Sequence, residues 1–145
     1  MADASPTTAW TQPGDAEVAD ILRTCRTIAV VGASPRLDRP SNGVAQYLMD
    51  QGYEVWPVNP RALEVLGRPC APDLASLPGP PDMVDVFRRQ QELPQVARDA
   101  VAVGAKVLWL QLGLHNDEAV RIAHEAGLRV VTNRCALVEH RRLLG

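Results

Sequence analysis

The run Thr27-Ile28-Ala29-Val30-Val31-Gly32-Ala33-Ser34 constrains this chain more than any other stretch. It is apolar and β-branched, and it stops abruptly at Gly-Ala-Ser. An amphipathic segment begins soon afterwards, at Ser41. A parallel strand buried on both faces has this composition. The loop and helix that follow would turn the helix N-terminus toward the strand's carboxyl end. Backbone N–H groups then converge on one point and favour an anion there, usually a phosphate. The same turn also serves merely to join two elements, so the stretch alone leaves both roles open.

The rest of the chain repeats the pattern. Asp15 to Thr24 carries Val18, Ile21 and Leu22 at helical spacing. Val44, Tyr47, Leu48 and Gln51 share one helical face, with Gly52 as the cap. Glu54–Val58 reads as a second strand ending at Asn59-Pro60. Residues 61–81 are crowded with Pro and Gly, and hold at most a short edge strand near Pro69–Ala71. Met83–Phe87 is another buried strand. Pro94 sits near the start of a helix marked by Leu93, Val96, Ala97, Ala100 and Val101. Lys106–Leu110 and Leu128–Val131 are strands. Asn116 or Asp117 caps the helix between them, and Ala136–Leu144 closes the chain as a helix.

Strands alternating with helices predict an α/β fold: a single Rossmann-type, doubly wound, mainly parallel sheet of five or six strands with helices on both faces. Residues 1–14 are rich in Ala, Thr, Ser and Pro and read as a flexible N-terminal arm. Residues 15–145 read as one domain.

Charge and composition narrow the function classes. A formal net charge of −2 gives no electrostatic case for nucleic acid or an anionic membrane. No apolar run is long enough to span a bilayer, and the start of the chain does not resemble a secretory signal. The three cysteines, Cys25, Cys70 and Cys135, are widely spaced and odd in number. They read as free thiols in a reducing cytoplasm. No spacing of His, Cys, Asp or Glu resembles a metal site.

Ligands of open α/β sheets bind outside the carboxyl ends of the strands. The first strand is followed by a turn longer than GxGxxG, and it carries Arg36 and Arg39. A side chain at Gly32 is expected to fill the space where the backbone approaches a pyrophosphate. Gly32→Val would therefore block binding while leaving the fold largely intact. After the second strand, a domain that prefers NAD usually places an acid for the ribose 2′-hydroxyl. This chain offers Asn59-Pro60-Arg61 instead. A cation without an acid disfavours NAD and suits a ribose with its own phosphate, which NADP and coenzyme A both carry. Asn-Pro could equally just end the strand, with Arg61 solvated. Phe87, Arg88, Gln111, Gly113, Asn133 and Cys135 converge on the same edge. Phe87 and Trp109 also suit core packing, and His115 reads as a solvated residue at a helix start. Cys135 is either a small buried residue or the one cysteine placed to meet a ligand thiol.

The set VVGAS, VxPVNP, VDVFR, WLQLG and NRC, in this order, resembles the stand-alone CoA-binding domain proteins. Those are small Rossmann-type proteins similar to the N-terminal domain of the succinyl-CoA synthetase alpha subunit. The resemblance spans roughly Ile21 to Leu144. It implies that Gly32, Ala33, Ser34, Arg39 and Ser41 cradle a pyrophosphate. It also implies that Asn59 and Arg61 lie near the adenosine end and its 3′-phosphate, and that Phe87 and Arg88 flank the adenine or pantetheine. Gln111, Gly113, Asn133 and Cys135 would line the pantetheine path. Asn133 matches the synthetase-like asparagine before cysteine, where many stand-alone relatives carry an acid.

The synthetase subunit's phosphorylated histidine belongs to a second domain that has no counterpart in this sequence. The resemblance thus implies binding of coenzyme A or an acyl-CoA, as a carrier or sensor, and supplies no catalytic step. An NADP-dependent or acyl-CoA-handling small enzyme is the alternative. The missing substrate domain and acid–base pair weigh against it.

Overall fold

The computed structural model describes residues 9–145. In chain order the strands are β1 (Thr27–Val31), β2 (Glu54–Val58), β3 (Glu64–Val65), β4 (Arg68–Pro69), β5 (Met83–Val86), β6 (Val107–Leu110) and β7 (Arg129–Val131). The helices are α1 (Asp15–Thr24), α2 (Pro40–Asp50), α3 (Leu93–Ala102), α4 (Asp117–Glu125) and α5 (Ala136–Leu143). Five strands form one parallel sheet in the order β2-β1-β5-β6-β7. The chain steps from β1 out to β2, then returns past β1 to β5 and continues the other way. The gap between the ends of β1 and β5 is therefore the topological switch point, where such sheets leave a crevice.

Alternation along each strand decides which helices cover which face. Ile28, Val30, Val55, Met83, Val107 and Trp109 pack with residues of α1, α2 and α5. Ala29, Val31, Val58, Val84, Val86, Leu108 and Leu110 pack with residues of α3 and α4. Strands buried on both faces need apolar side chains at successive positions, which explains their continuous hydrophobic runs. Three helices hand the chain to the next strand in the same way. After α2, Gly52 N–H bonds Met49 O at 3.0 Å and Tyr53 N–H bonds Leu48 O at 3.1 Å, with Gly52 at φ 97°. The same pair of bonds recurs at Gly104 and Gly127.

The two sheet edges hold the main departures from the sequence expectations. The edge strand expected near Pro69–Ala71 is instead the antiparallel β3–β4 hairpin plus a single bridge between Val58 and Ala71. Leu66 and Gly67 both take positive φ, 53° and 77°, which makes the tight turn of a two-residue hairpin. Asn59 N–H to Ala71 O (2.9 Å) and Ala71 N–H to Pro57 O (3.0 Å) cover the outer side of β2.

On the opposite edge, the expected flexible arm is not loose where it is described. Trp10 Nε1 donates to Val130 O at 3.0 Å, and Gln12 exchanges bonds with Thr132 O (2.6 Å) and Thr132 N–H (3.1 Å). These side chains satisfy the open edge of β7, which would otherwise offer unpaired backbone groups. The first eight residues of the arm lie outside the described residues. Among the described residues no helix is long and apolar enough to cross a membrane.

Candidate functional site

The site begins with how β1 ends. Gly32 N–H donates to Val58 O at 2.9 Å, and Phe87 N–H donates to Val31 O at 2.8 Å. These bonds hold the ends of β2, β1 and β5 together across the switch point. Gly32 sits at φ 87°, and a Cβ on it would lie 2.2 Å from the Phe87 carbonyl oxygen. The glycine is therefore required by one backbone passing over another. This corrects the expectation that Gly32→Val would leave the fold intact, because the atom Gly32 makes room for belongs to the protein itself.

The loop after Gly32 is tied down from two sides. Asn59 Nδ2 donates to Ala33 O at 2.7 Å, while Asn59 Oδ1 accepts from Arg61 N–H at 2.8 Å. Asn42 Nδ2 donates to Ser34 O at 2.9 Å. Asn59 thus clamps the loops after β1 and β2 together, and it leaves Arg61 at the surface beside the junction. α2 starts at Pro40, which has no N–H to satisfy, and no side chain caps it. Its first turn holds no acidic residue. The positive end of the α2 dipole therefore meets no carboxylate of its own helix.

These elements enclose a cleft of about 790 Å³ at the carboxyl ends of β1, β2, β5 and β6. Ten of the thirteen residues singled out from the sequence line it. Gly32, Ser34, Arg39 and Ser41 come from the first loop and α2. Asn59 and Arg61 follow β2, and Phe87 and Arg88 follow β5. Gln111 follows β6, and Cys135 precedes α5. The other three do not line the cleft. Ala33 is fully buried beneath the loop. Gly113 and Asn133 bond one another instead, with Gly113 N–H donating to Asn133 Oδ1 at 2.7 Å. Asn133 adopts φ 55°, a left-handed conformation that asparagine tolerates better than most residues.

The cations of the cleft differ in availability. Arg36 is paired with Asp38 at 3.0 Å, and Arg88 Nε donates to Glu92 Oε1 at 2.8 Å. Arg39 and Arg61 carry no ion pair among the described residues, although both line the cleft. Two unpaired guanidinium groups and an open helix N-terminus make this mouth receptive to phosphate.

Other residues fall where the sequence placed them, or near it. Trp109 is fully buried, and its Nε1 donates to Arg134 O at 2.8 Å. Phe87 is half-buried and reaches the cleft. Asn116, not Asp117, caps α4 by accepting from Ala119 N–H at 2.9 Å. His115 Nε2 lies 2.7 Å from Asp117 Oδ1.

Sequence reasoning missed Asp85. It is fully buried in the middle of β5, and its Oδ1 accepts a hydrogen bond from Gln111 Nε2. Burial pushes its carboxyl up to about 7, against opposing bonds from Gln111 and the Val86 amide. The available signal was a single acid inside the apolar strand MVDV. Cys25 is buried as well, and desolvation pushes its thiol up to about 12.

Known proteins resemble this chain in sequence or in fold. An uncharacterized protein of Bacillus subtilis (strain 168), YneT, is 43% identical over 128 residues, covering 88% of this chain and 95% of that protein. The solved structure of a hypothetical protein from Pyrococcus horikoshii OT3 matches with a TM-score of 0.88 and 42% identity, covering 100% of both chains. Acetate–CoA ligase [ADP-forming] I of Archaeoglobus fulgidus is 24% identical over 120 residues, covering 76% of this chain but only 18% of that enzyme. The likeness to the ligase is thus confined to a small part of it. The family model described as the CoA binding domain matches residues 26–141, from just before β1 into α5, and so takes in every strand and the whole cleft. On that match the chain belongs to the CoA binding domain family.

Proposed function

We propose that the cleft binds coenzyme A or an acyl-CoA, and that the protein works as a small binding module, a carrier or sensor of that ligand. The observation that carries this reading is the end of β2. There Asn59 spends its side chain on the loop junction, and Arg61 stands unpaired in the cleft where an NAD site would place an acid. In this reading Arg61 meets the ribose 3′-phosphate. Arg39, Ser34, Ser41 and the N-terminus of α2 hold the pyrophosphate. Phe87 and Arg88 flank the adenine or pantetheine, and the pantetheine runs toward Gln111 and Cys135.

Calorimetric titration with CoA, dephospho-CoA, NADP and NAD tests it. CoA is expected to bind more tightly than dephospho-CoA and NAD. Arg61→Ala is expected to weaken CoA by about tenfold, the low end for a charge-assisted phosphate contact because Arg61 is exposed. The same variant should leave dephospho-CoA almost unchanged. Equal losses for both ligands would remove Arg61 from the phosphate site, and tighter binding of NADP than CoA would favour the enzyme alternative.

The placement of the thiols gives a second expected result. Cys135 lines the cleft, whereas Cys25 is buried with its thiol held protonated. Incubation with CoA disulfide should join CoA to Cys135: the thiolate attacks one sulfur and the other CoA leaves as its thiolate. Mass spectrometry of peptides reads the outcome. An adduct on Cys25 or Cys70, or none, would separate Cys135 from the ligand's thiol end.

A further inference from the structure

Asp85 Oδ2 is the buried side-chain polar atom that finds no hydrogen-bond partner among the described residues. Its carboxyl lies opposite Val30 of β1 and Trp109 of β6, with no cation among the described residues bonded to it. Among the described residues the single side chain that bonds it is Gln111, which also lines the cleft and is 4% exposed. With Gln111 Nε2 spent on Asp85, Gln111 Oε1 makes no bond within the described protein and is left for the cleft.

A side-chain amide has a donating end and an accepting end, told apart by the bonds they make. A carboxylate only accepts. While Asp85 is ionised, Gln111 must turn its NH₂ inward and offer Oε1 to the cleft. A carboxylic acid carries an O–H, and on Oδ2 that O–H is a buried donor without a partner unless it meets Gln111 Oε1; forming that bond would turn the amide over and offer NH₂ to the cleft. One proton, exchanged with solvent, would thus reverse the hydrogen-bonding group that Gln111 offers to the cleft.

We propose that Asp85 is a positioning residue that sets the hydrogen-bond polarity of the cleft floor through Gln111, and thereby selects between a free thiol and a thioester at the end of the ligand. An accepting floor suits the S–H of free CoA. A donating floor suits the carbonyl of an acyl-CoA thioester, which has no hydrogen to give. The proposal rests on the CoA reading of the cleft.

Burial puts the changeover near neutrality, at about 7. The titratable groups packed against the same face do not bond Asp85. Glu139 is held by Arg142 at 2.7 Å, and His140 Nδ1 lies 2.8 Å from the Tyr47 hydroxyl. The Tyr53 hydroxyl donates to Leu22 O, and Cys25 and Cys135 lie in the same cluster without a bond to the carboxyl. Arg88, which follows β5, is paired with Glu92.

The test compares CoA with acetyl-CoA, which carry the same phosphates, so ligand phosphate titration cancels in their affinity ratio. Calorimetry at about pH 5.5 and about pH 7.8, below the ordinary thiol value so that the CoA thiol stays mostly protonated, brackets the changeover. In the wild-type protein the preference for CoA over acetyl-CoA should grow by roughly three- to tenfold at the higher pH, the ratio one net hydrogen bond supplies. Asp85→Asn should show the same ratio at both pH values. A pH-independent ratio in the wild type, or an equal change in Asp85→Asn, overturns the proposal.

A second measurement needs neither ligand nor variant. The Gln111 side-chain amide resonances of the wild-type protein, followed by NMR, should shift in a single step across the same pH range. Resonances that do not move overturn the switch whatever binds. If neither CoA nor acetyl-CoA binds at either pH, the CoA reading and the thiol–thioester selection fail together, while the amide titration still decides the switch itself.

Discussion

Replacing Gly32 with alanine is expected to destabilise the protein by roughly 2–4 kcal/mol, because the change combines a left-handed backbone with a backbone clash. For a chain of this length that corresponds to a fall in Tm of about 10 °C. The cause is geometric. The added Cβ would sit 2.2 Å from the Phe87 carbonyl oxygen, and the backbone at φ 87° disfavours any side chain. Relief requires the end of β1 to move away from the end of β5, which strains the Gly32–Val58 and Phe87–Val31 hydrogen bonds. Valine, β-branched, should be worse. Thermal denaturation followed by circular dichroism measures the effect. A Gly32→Ala protein as stable as the wild type would show that the two loops separate freely. Any loss of ligand binding in this variant must be read against its lost stability.

The second large effect is a pH dependence of stability that belongs to Asp85. Its folded carboxyl holds a proton up to about pH 7, whereas the unfolded value is the ordinary 3.8. Between these two values the folded state binds a proton that the unfolded state has released. Stability from this group is therefore fully present below about pH 4 and is lost as the pH rises toward 7. Three pH units at about 1.4 kcal/mol each set an upper bound near 4 kcal/mol. Asp85→Asn removes the titration while keeping the shape. The variant is expected to gain stability relative to wild type as the pH rises from about 4 to about 7, with a constant difference above that. Urea denaturation at several pH values gives the difference directly. A gap that does not change with pH would place the Asp85 carboxyl in the ordinary carboxylate range.

The parallel sheet was legible because its strands are buried on both faces. Ile28, Val55 and Leu108 belong to uninterrupted apolar runs, and alternation with amphipathic helices then leaves few topologies. That ten of the candidate residues line one cleft was legible for a related reason: in a doubly wound sheet, residues that follow strands share one edge. Asn133 and Gly113 share that edge too, yet they bond each other and lie away from the main cleft. Position along the strand fixes the edge, while the bonds between loops decide which side chains face the cleft.

What the sequence could not determine depends on partners distant in the chain. Composition marks the N-terminal segment as loose, but Trp10 and Gln12 find the open edge of β7 120 residues away. The glycine at position 32 is plain in the sequence, whereas the carbonyl it must clear belongs to Phe87 and becomes its neighbour only when β5 docks beside β1. Asp85 follows the same logic. A lone acid in an apolar strand is visible, but its pairing with Gln111 is made by the alignment of β5 with β6. The sequence by itself determined which segments are strands and which edge of the sheet carries the cleft, because hydrophobic period and turn chemistry are local properties. The tertiary structure alone decided which groups are satisfied, which are clamped and which are left open to a ligand, because hydrogen bonds and desolvation depend on atoms that folding brings together.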